Sequence, residues 1–150
     1  MIAALYVILT FLASSLGLAS GSIQIRFSEA LTILPFFTPA AVPGLAVGCL
    51  LSNILTGCAV PDVIFGTLAT LIGAFGTLKI KKHKWLTPLP PIAANTVIVP
   101  LVLYYAYGIR PIWMSFITVG IGEIISCGIL GLLLQKSLQK YASRLFTPQY

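Results

Sequence analysis

Long apolar runs separated by short polar interruptions set the pattern of this chain. Apolar residues dominate 1–19, 30–60, 63–78, 86–107 and 112–135, and SGSIQIRFSE, GCAVPD, KIKKHK and YGIRP punctuate them. A membrane-spanning helix needs ~20 apolar residues, a length that the first and the last two runs reach. The 30–60 run is broken by Pro35, Pro39, Pro43 and Gly44. It predicts a short helix over 28–37, a tight turn at TPAAVPG and a second helix over 45–56. Both are short for a crossing, so irregular backbone must contribute, and such backbone has to be buried in protein. Asp62 is placed to N-cap a helix over 63–78. The pattern therefore predicts an all-α membrane protein, with 1–150 forming one compact bundle of six transmembrane helices.

Composition supports the same solvent. Of 150 residues, 58% are hydrophobic and 8% charged, against roughly 25% charged in a soluble domain. Charge then sets the expected topology. Lys79, Lys81, Lys82 and Lys84 lie in one cluster, and Lys136, Lys140 and Arg144 follow the last apolar run. Basic residues favour the cytoplasmic side. Two clusters on one side, separated by the runs 86–107 and 112–135, require an even number of crossings between them. With four crossings before KIKKHK, both termini are expected to be cytoplasmic. Trp85, Tyr104, Tyr105, Tyr107 and Trp113 read as interfacial anchors. Met1 opens inside an apolar run with no basic flank, unlike a secretory signal, so cleavage is not expected. Arg26, Glu29, Asp62 and Arg110 fall in the expected outer loops and hint at a site near the outer surface. The plainer reading is that loops are polar and that Glu29 suits a helix N-terminus.

Glu123 stands near the middle of the last run, where a carboxylate costs ~2.5–3.5 kcal/mol on insertion scales. It shares a helix face with Phe116, Gly120, Cys127 and Gly131, three or four residues apart. That face is expected to point into the bundle, for a ligand contact or for a protonated structural glutamate. Asn95 precedes Pro100, whose missing N–H frees the Thr96 carbonyl. Asn95 and Asn53 suit either a polar ligand or interhelical hydrogen bonding. Gly44, Gly48, Ser52 and Thr56, and Gly66, Ala69, Thr70, Gly73 and Thr77, form small-residue ladders for close helix packing.

Several chemistries lack their parts. There is no G-x-x-x-x-G-K-[ST] loop, and the single histidine, His83, sits in the basic cluster without an acid nearby. Cys49, Cys58 and Cys127 show no metal-type spacing. The basic residues hug helix ends and make no nucleic-acid footprint. An enzyme, a metal site and nucleic-acid binding are not expected. A protein that binds, conducts or carries a solute is.

The blocks IAALYVILTFL, SGSIQIRFSEALTILPFF, PGLAVGCLLSNIL, PDVIFGTLATLIGAF, PLPPIAANTVIVPLVLYY and VGIGEIISCGILG, in order, resemble the queuosine-precursor transporter (QueT) family. The resemblance covers nearly the whole chain. It implies a substrate-binding S component of an energy-coupling factor (ECF) transporter in the bacterial cell membrane, with a pocket toward the outer face. It also implies a transmembrane scaffold subunit and two ATPase subunits as partners. ATP would be used by those partners, with no cofactor in this chain. S components dock through small residues of the first helix, often alanines four apart; here Ala3 and Ala4 stand at its very start. For a 7-deazaguanine ligand such as 7-aminomethyl-7-deazaguanine, a carboxylate can accept from two ring-edge N–H donors at once. Glu29 and Glu123 are then the expected direct ligands. Asp62 acts as a cap, Asn95 reads a carbonyl or amine edge, and Tyr104, Tyr105 or Tyr107 stacks on the ring. Arg26 orients Glu29. Whether the substrate is cationic or neutral stays open. The alternative is a small oligomeric channel or exchanger working without ATPase partners.

Overall fold

The computed structural model describes residues 1–18, 23–80, 82–141 and 144. Six helical rods run through them, with no strand among the described residues. They are α1 (Ile2–Ser15), a 3-10 helix (Phe27–Phe36), α2 (Ala41–Leu55), α3 (Val60–Lys79), α4 (Leu89–Tyr107) and α5 (Ile112–Gln139). Three of them, α3, α4 and α5, are long and apolar enough to cross a membrane. Large apolar side chains such as Ile8, Ile54, Phe65, Phe75, Val97, Ile117 and Leu133 face outward, as a lipid solvent permits.

The expected breaks fall close to the observed ones, and each shift has a local cause. Helices α1 and α2 both end on a left-handed glycine, Gly17 and Gly57, each with φ of 75°. The N–H groups of Leu18 and Cys58 then reach back to the carbonyls of Ala13 and Asn53, both at 3.0 Å, which satisfies otherwise orphaned acceptors. Helix α2 begins at Ala41 rather than at 45, because Pro43 falls in the first turn, where its missing N–H has no intrahelical partner to lose. Helix α3 begins at Val60 with Ala59 as N-cap and no side-chain cap. Asp62 is thus not the cap that was expected. It lies inside the first turn, where its charge still suits the helix dipole.

The predicted helix over 28–37 is a 3-10 helix, Phe27–Phe36, of 10 residues. Runs of this kind usually last 3–4 residues. Burial sustains this one, since Ser28 through Pro35 are all buried. At ~2.0 Å per residue it reaches ~20 Å, against ~15 Å for an α-helix of equal length. The chain enters it through residues 23–26, where Arg26 is extended at φ −115°, ψ 110°. This stretch lies against α5: the Arg26 N–H donates to Ser126 Oγ at 3.1 Å, and a side chain at Gly122 would run into the Gln24 carbonyl. Residues 23–26 are therefore packed irregular backbone in place of a free loop, and the Ile25 and Arg26 N–H groups find protein acceptors. Residues 19–22, the remaining start of that loop, and Lys81 lie outside the described residues.

Small-residue ladders bring the rods together as expected. Gly48 faces the Ala3 backbone and Tyr6, Gly44 faces Ile2, and Gly73 and Gly76 face Pro91 and Pro90. Gly131 of α5 receives Ile33 of the 3-10 helix. An apolar core of Tyr6, Leu31, Ile33, Leu34, Leu45 and Cys49 joins α1, the 3-10 helix and α2. Gly122→Ala is expected to cost about 1–3 kcal/mol, because the atoms it meets are backbone. Gly120→Ala meets the Thr96 methyl at 3.5 Å and should stay close to wild type. Thermal melting of the two variants in detergent checks this contrast.

Candidate ligand site

Four rods deliver side chains to one buried polar centre. Glu29 opens the 3-10 helix, Asn95 comes from α4, Glu123 and Cys127 from α5, and Tyr6 from α1. Glu29 is 2% exposed, Asn95 3% and Glu123 9%. Asn95 Nδ2 donates to Glu123 Oε2 at 3.0 Å and to Glu29 Oε2 at 3.3 Å, so one amide bridges two carboxylates. The Tyr6 hydroxyl donates to Glu29 Oε1 at 2.7 Å, and Cys127 Sγ lies 3.2 Å from Glu123 Oε2 as its donor. Thr32 Oγ1 donates to the Glu29 carbonyl at 2.6 Å and closes the turn that presents the acid.

These contacts have local origins. Gly48 has no side chain to obstruct Tyr6, which lets α1 approach α2 and aim the phenol at Glu29. Thr10 Oγ1 donates to the Tyr6 carbonyl at 2.8 Å and lies 2.9 Å from Ser28 Oγ, which can donate to it, pinning α1 to the start of the 3-10 helix. Directly after Glu123, α5 passes into a π-helical stretch, Ile124–Leu130. Wide turns of this kind often sit at functional sites. Here the stretch carries Ser126, which holds the 23–26 backbone, and Cys127, which faces Glu123.

The direct partners of the two acids carry no charge. Tyr6, Asn95 and Cys127 are neutral donors, and among the described residues no Lys, Arg or His nitrogen lies within 4.0 Å of a carboxylate oxygen. Two acids this close in a low-dielectric interior need a counter-charge or N–H donors between them, so the centre can take a cation or a ligand rich in N–H donors. Oxygens of Glu29 and Glu123 and the Cys127 sulfur lie within 4.8 Å of one another. They could hold a metal ion, although the cysteine spacing gave no metal motif. Next to Asn95 on α4, Thr96 Oγ1 is buried without a hydrogen-bond partner among the described residues. Pro100 cannot donate to the Thr96 carbonyl.

The other sequence candidates lie elsewhere. Arg26 is half-buried beside the centre, but its guanidinium donates to Gln24 Oε1 at 3.4 Å rather than pairing with Glu29. Asp62 accepts the Tyr107 hydroxyl at 3.1 Å, and the same oxygen of Tyr107 accepts the Ala59 N–H at 3.0 Å. This clasp joins the start of α3 to the end of α4. Tyr104 stands with Tyr105, ring centroids 5.0 Å apart, and beneath Arg110 at 5.2 Å. It lies nine residues beyond Asn95, ~13 Å along the helix. Asn53 ties α2 to α3 by donating to the Asp62 carbonyl at 3.4 Å. The expected outer cluster thus divides: Glu29 joins Glu123 at the centre, while Asp62 and Arg110 stay at helix ends. Tyr6 and Thr32 had not been singled out; for Tyr6 the one visible signal was a threonine, Thr10, four residues on in an apolar helix.

Fold and site together define a helical membrane protein built around an enclosed acid–amide centre. Residues 1–140 match the family described as QueT transporter, and the chain belongs to that family. It is similar to the queuosine precursor transporter QueT of Lactococcus lactis subsp. cremoris (strain MG1363), at 42% identity over 71 residues. That match covers 47% of this chain and 41% of the relative, so it spans about two fifths of the relative's own length. Family and relative are named as transporters, not as enzymes. No solved structure matches the chain.

Tyr6→Phe removes the shortest donor to Glu29 and should cost about 1.5–3 kcal/mol, the range for a hydrogen bond to a charged group. Ser15→Ala removes an exposed hydroxyl that donates only to its own helix, at Phe11, and should change stability by less than about 0.5 kcal/mol. Equilibrium unfolding of both variants in detergent measures the difference.

Proposed function

We propose that this chain is the substrate-binding S component of an ECF importer and captures a queuosine precursor of the 7-deazaguanine class. The observation that carries the reading is the Glu29–Asn95–Glu123 bridge, which gathers two acids and an amide from three rods into one buried place. One carboxylate accepts the two N–H donors of a guanine-like edge, and the second accepts an aminomethyl ammonium. Ligand entry releases the Asn95 amide from the acids and frees it to donate to the ring carbonyl. Thr96 supplies an unused hydroxyl beside that amide. A cationic precursor also neutralises the paired acids, which favours the aminomethyl base over a neutral one.

In this reading all six rods cross the bacterial cell membrane, with both basic ends cytoplasmic. The short 3-10 helix manages its crossing with the help of residues 23–26. At up to ~3.3 Å per residue for extended backbone, those four residues and the 3-10 helix together approach the ~30 Å hydrocarbon thickness. The Asp62–Tyr107 clasp and Tyr104 belong to the outer rim. The scaffold subunit docks on the apolar flank of α1, where Ala4, Leu5, Ile8 and Leu12 are exposed, while Ala3 is turned toward Gly48. Two ATPase subunits supply the energy, and this chain needs no cofactor of its own.

Calorimetric titration of the purified chain with the free base, its aminomethyl and cyano forms and the nucleoside tests the reading. Glu123→Gln should weaken the aminomethyl base by roughly 10–100-fold, the loss of one charge-assisted hydrogen bond, with the fold intact. Asp62→Asn and Tyr104→Phe should bind within about threefold of wild type, because neither reaches the centre. Solute flux in liposomes holding this chain alone would instead establish the channel or exchanger.

A further inference from the structure

A second concave site lies at the opposite end of the bundle from the Asp62–Tyr107 clasp. There the turn after α3 packs against the last turns of α5 and leaves a groove of about 620 Å³. Lys84, Trp85 and Lys136 line it together with Gly128, Ile129 and Leu133. Charge and apolar surface are segregated within it. The two lysines are exposed at the end nearest the turn, and Ile129 and Leu133, 55% and 58% exposed, continue along α5 toward the middle of the bundle.

The arrangement is built rather than accidental. Gln135, itself 3% exposed, donates through Nε2 to the Lys84 carbonyl at 3.0 Å and accepts the Thr87 hydroxyl at 2.6 Å. Thr87 Oγ1 also lies 2.9 Å from the Lys84 carbonyl, and its own carbonyl accepts the Thr77 hydroxyl at 2.8 Å. This buried knot ties the turn to both α3 and α5, so that Lys84 and Lys136 border one groove instead of waving from separate elements. Among the described residues no acid lines the groove to neutralise them. Trp85 is 73% exposed at the same level, the placement of an indole at a membrane interface.

We propose that this groove is a binding site for one anionic phospholipid. The phosphate sits between Lys84 and Lys136, Trp85 packs at the glycerol level, and an acyl chain runs over Gly128, Ile129 and Leu133. Basic pockets at the ends of membrane helices attract anionic headgroups, and apolar length directly below two ammonium groups matches a diacyl lipid better than a free anion. The bound lipid would cover the hydrophobic flank of α5 beside the π-helical stretch that carries Cys127.

Native mass spectrometry of the full chain, with dioleoyl phosphatidylglycerol and dioleoyl phosphatidylcholine offered at equal concentration, tests the proposal. Wild type should retain the anionic lipid roughly thirtyfold better, the scale expected of two interfacial lysines at about 1 kcal/mol each. Lys84→Gln with Lys136→Gln should bring the two lipids to parity while base binding at the acid–amide centre stays unchanged. Gly128→Leu fills the floor, where a new Cβ meets only Ile124 and Ile92 at 3.8 Å, and should reduce retention of both lipids. Equal retention of the two lipids by wild type, or an undiminished anionic preference in the double lysine variant, would overturn it.

Discussion

Two carboxylates sharing one amide, far from water, constrain almost everything else in this protein. Each acid placed in a membrane interior costs several kcal/mol unless it finds partners, and here the partners come from different rods. Tyr6 fixes the depth of α1, Asn95 that of α4, and the pair Glu123 and Cys127 that of α5, all measured against Glu29. A shift of one helix by a single turn, ~5.4 Å, would leave a buried acid without its donor. Apolar packing between lipid-like surfaces has no such preference for depth. The polar centre therefore supplies the register that the small-residue ladders alone could not.

Meeting at one point requires departures from regular helix, and they gather around that point. The 3-10 helix starts at the residue before Ser28 and brings Glu29 inward at once. The π-helical stretch begins directly after Glu123, and Pro100 breaks the α4 ladder one turn beyond Thr96. Each exposes backbone that a bilayer cannot satisfy. The neighbours do so instead: Ser126 accepts the Arg26 N–H, and Thr32 donates to the Glu29 carbonyl. Irregular backbone is tolerated because the centre surrounds it with protein.

Much of this was legible in the order of residues. Apolar runs located all six rods, prolines and glycines marked the breaks between them to within a few residues, and Glu123 and Asn95 stood out as polar positions in apolar stretches. What could not be read was the path of 23–26. Gln24 and Arg26 alternate there with Ile23 and Ile25 inside a polar patch, and such a patch reads as a solvent loop. Only the absence of a side chain at Gly122, opposite the Gln24 backbone, lets the segment enter the bundle, and a single glycine carries no address for its partner. Glu29 was accordingly expected at the outer surface beside Asp62, when its partners lie on α1, α4 and α5. The start of α3 was misjudged for a related reason. Aspartate after proline resembles an N-cap, but Pro61 itself is compatible with a first helical turn, so the helix begins before it.

The distribution of polar groups also bears on binding against conduction. A conducting path needs a succession of sites, each favourable enough to enter and weak enough to leave. In this bundle the buried amides Asn53 and Gln135 tie neighbouring elements at the two ends, while Glu29, Asn95 and Glu123 meet at one level. Beyond them toward the α3–α4 clasp, the groove of about 600 Å³ is lined by Pro61, Phe65, Leu68, Ile98, Leu101 and their apolar neighbours. Acids and an amide from three rods converging at a single depth suit holding one solute more than passing it along a row of equal sites. Release then requires the rods that carry the acids and the amide to change their relation. Because Glu29, Asn95 and Glu123 belong to three different rods, modest relative movement of those rods is enough to separate them.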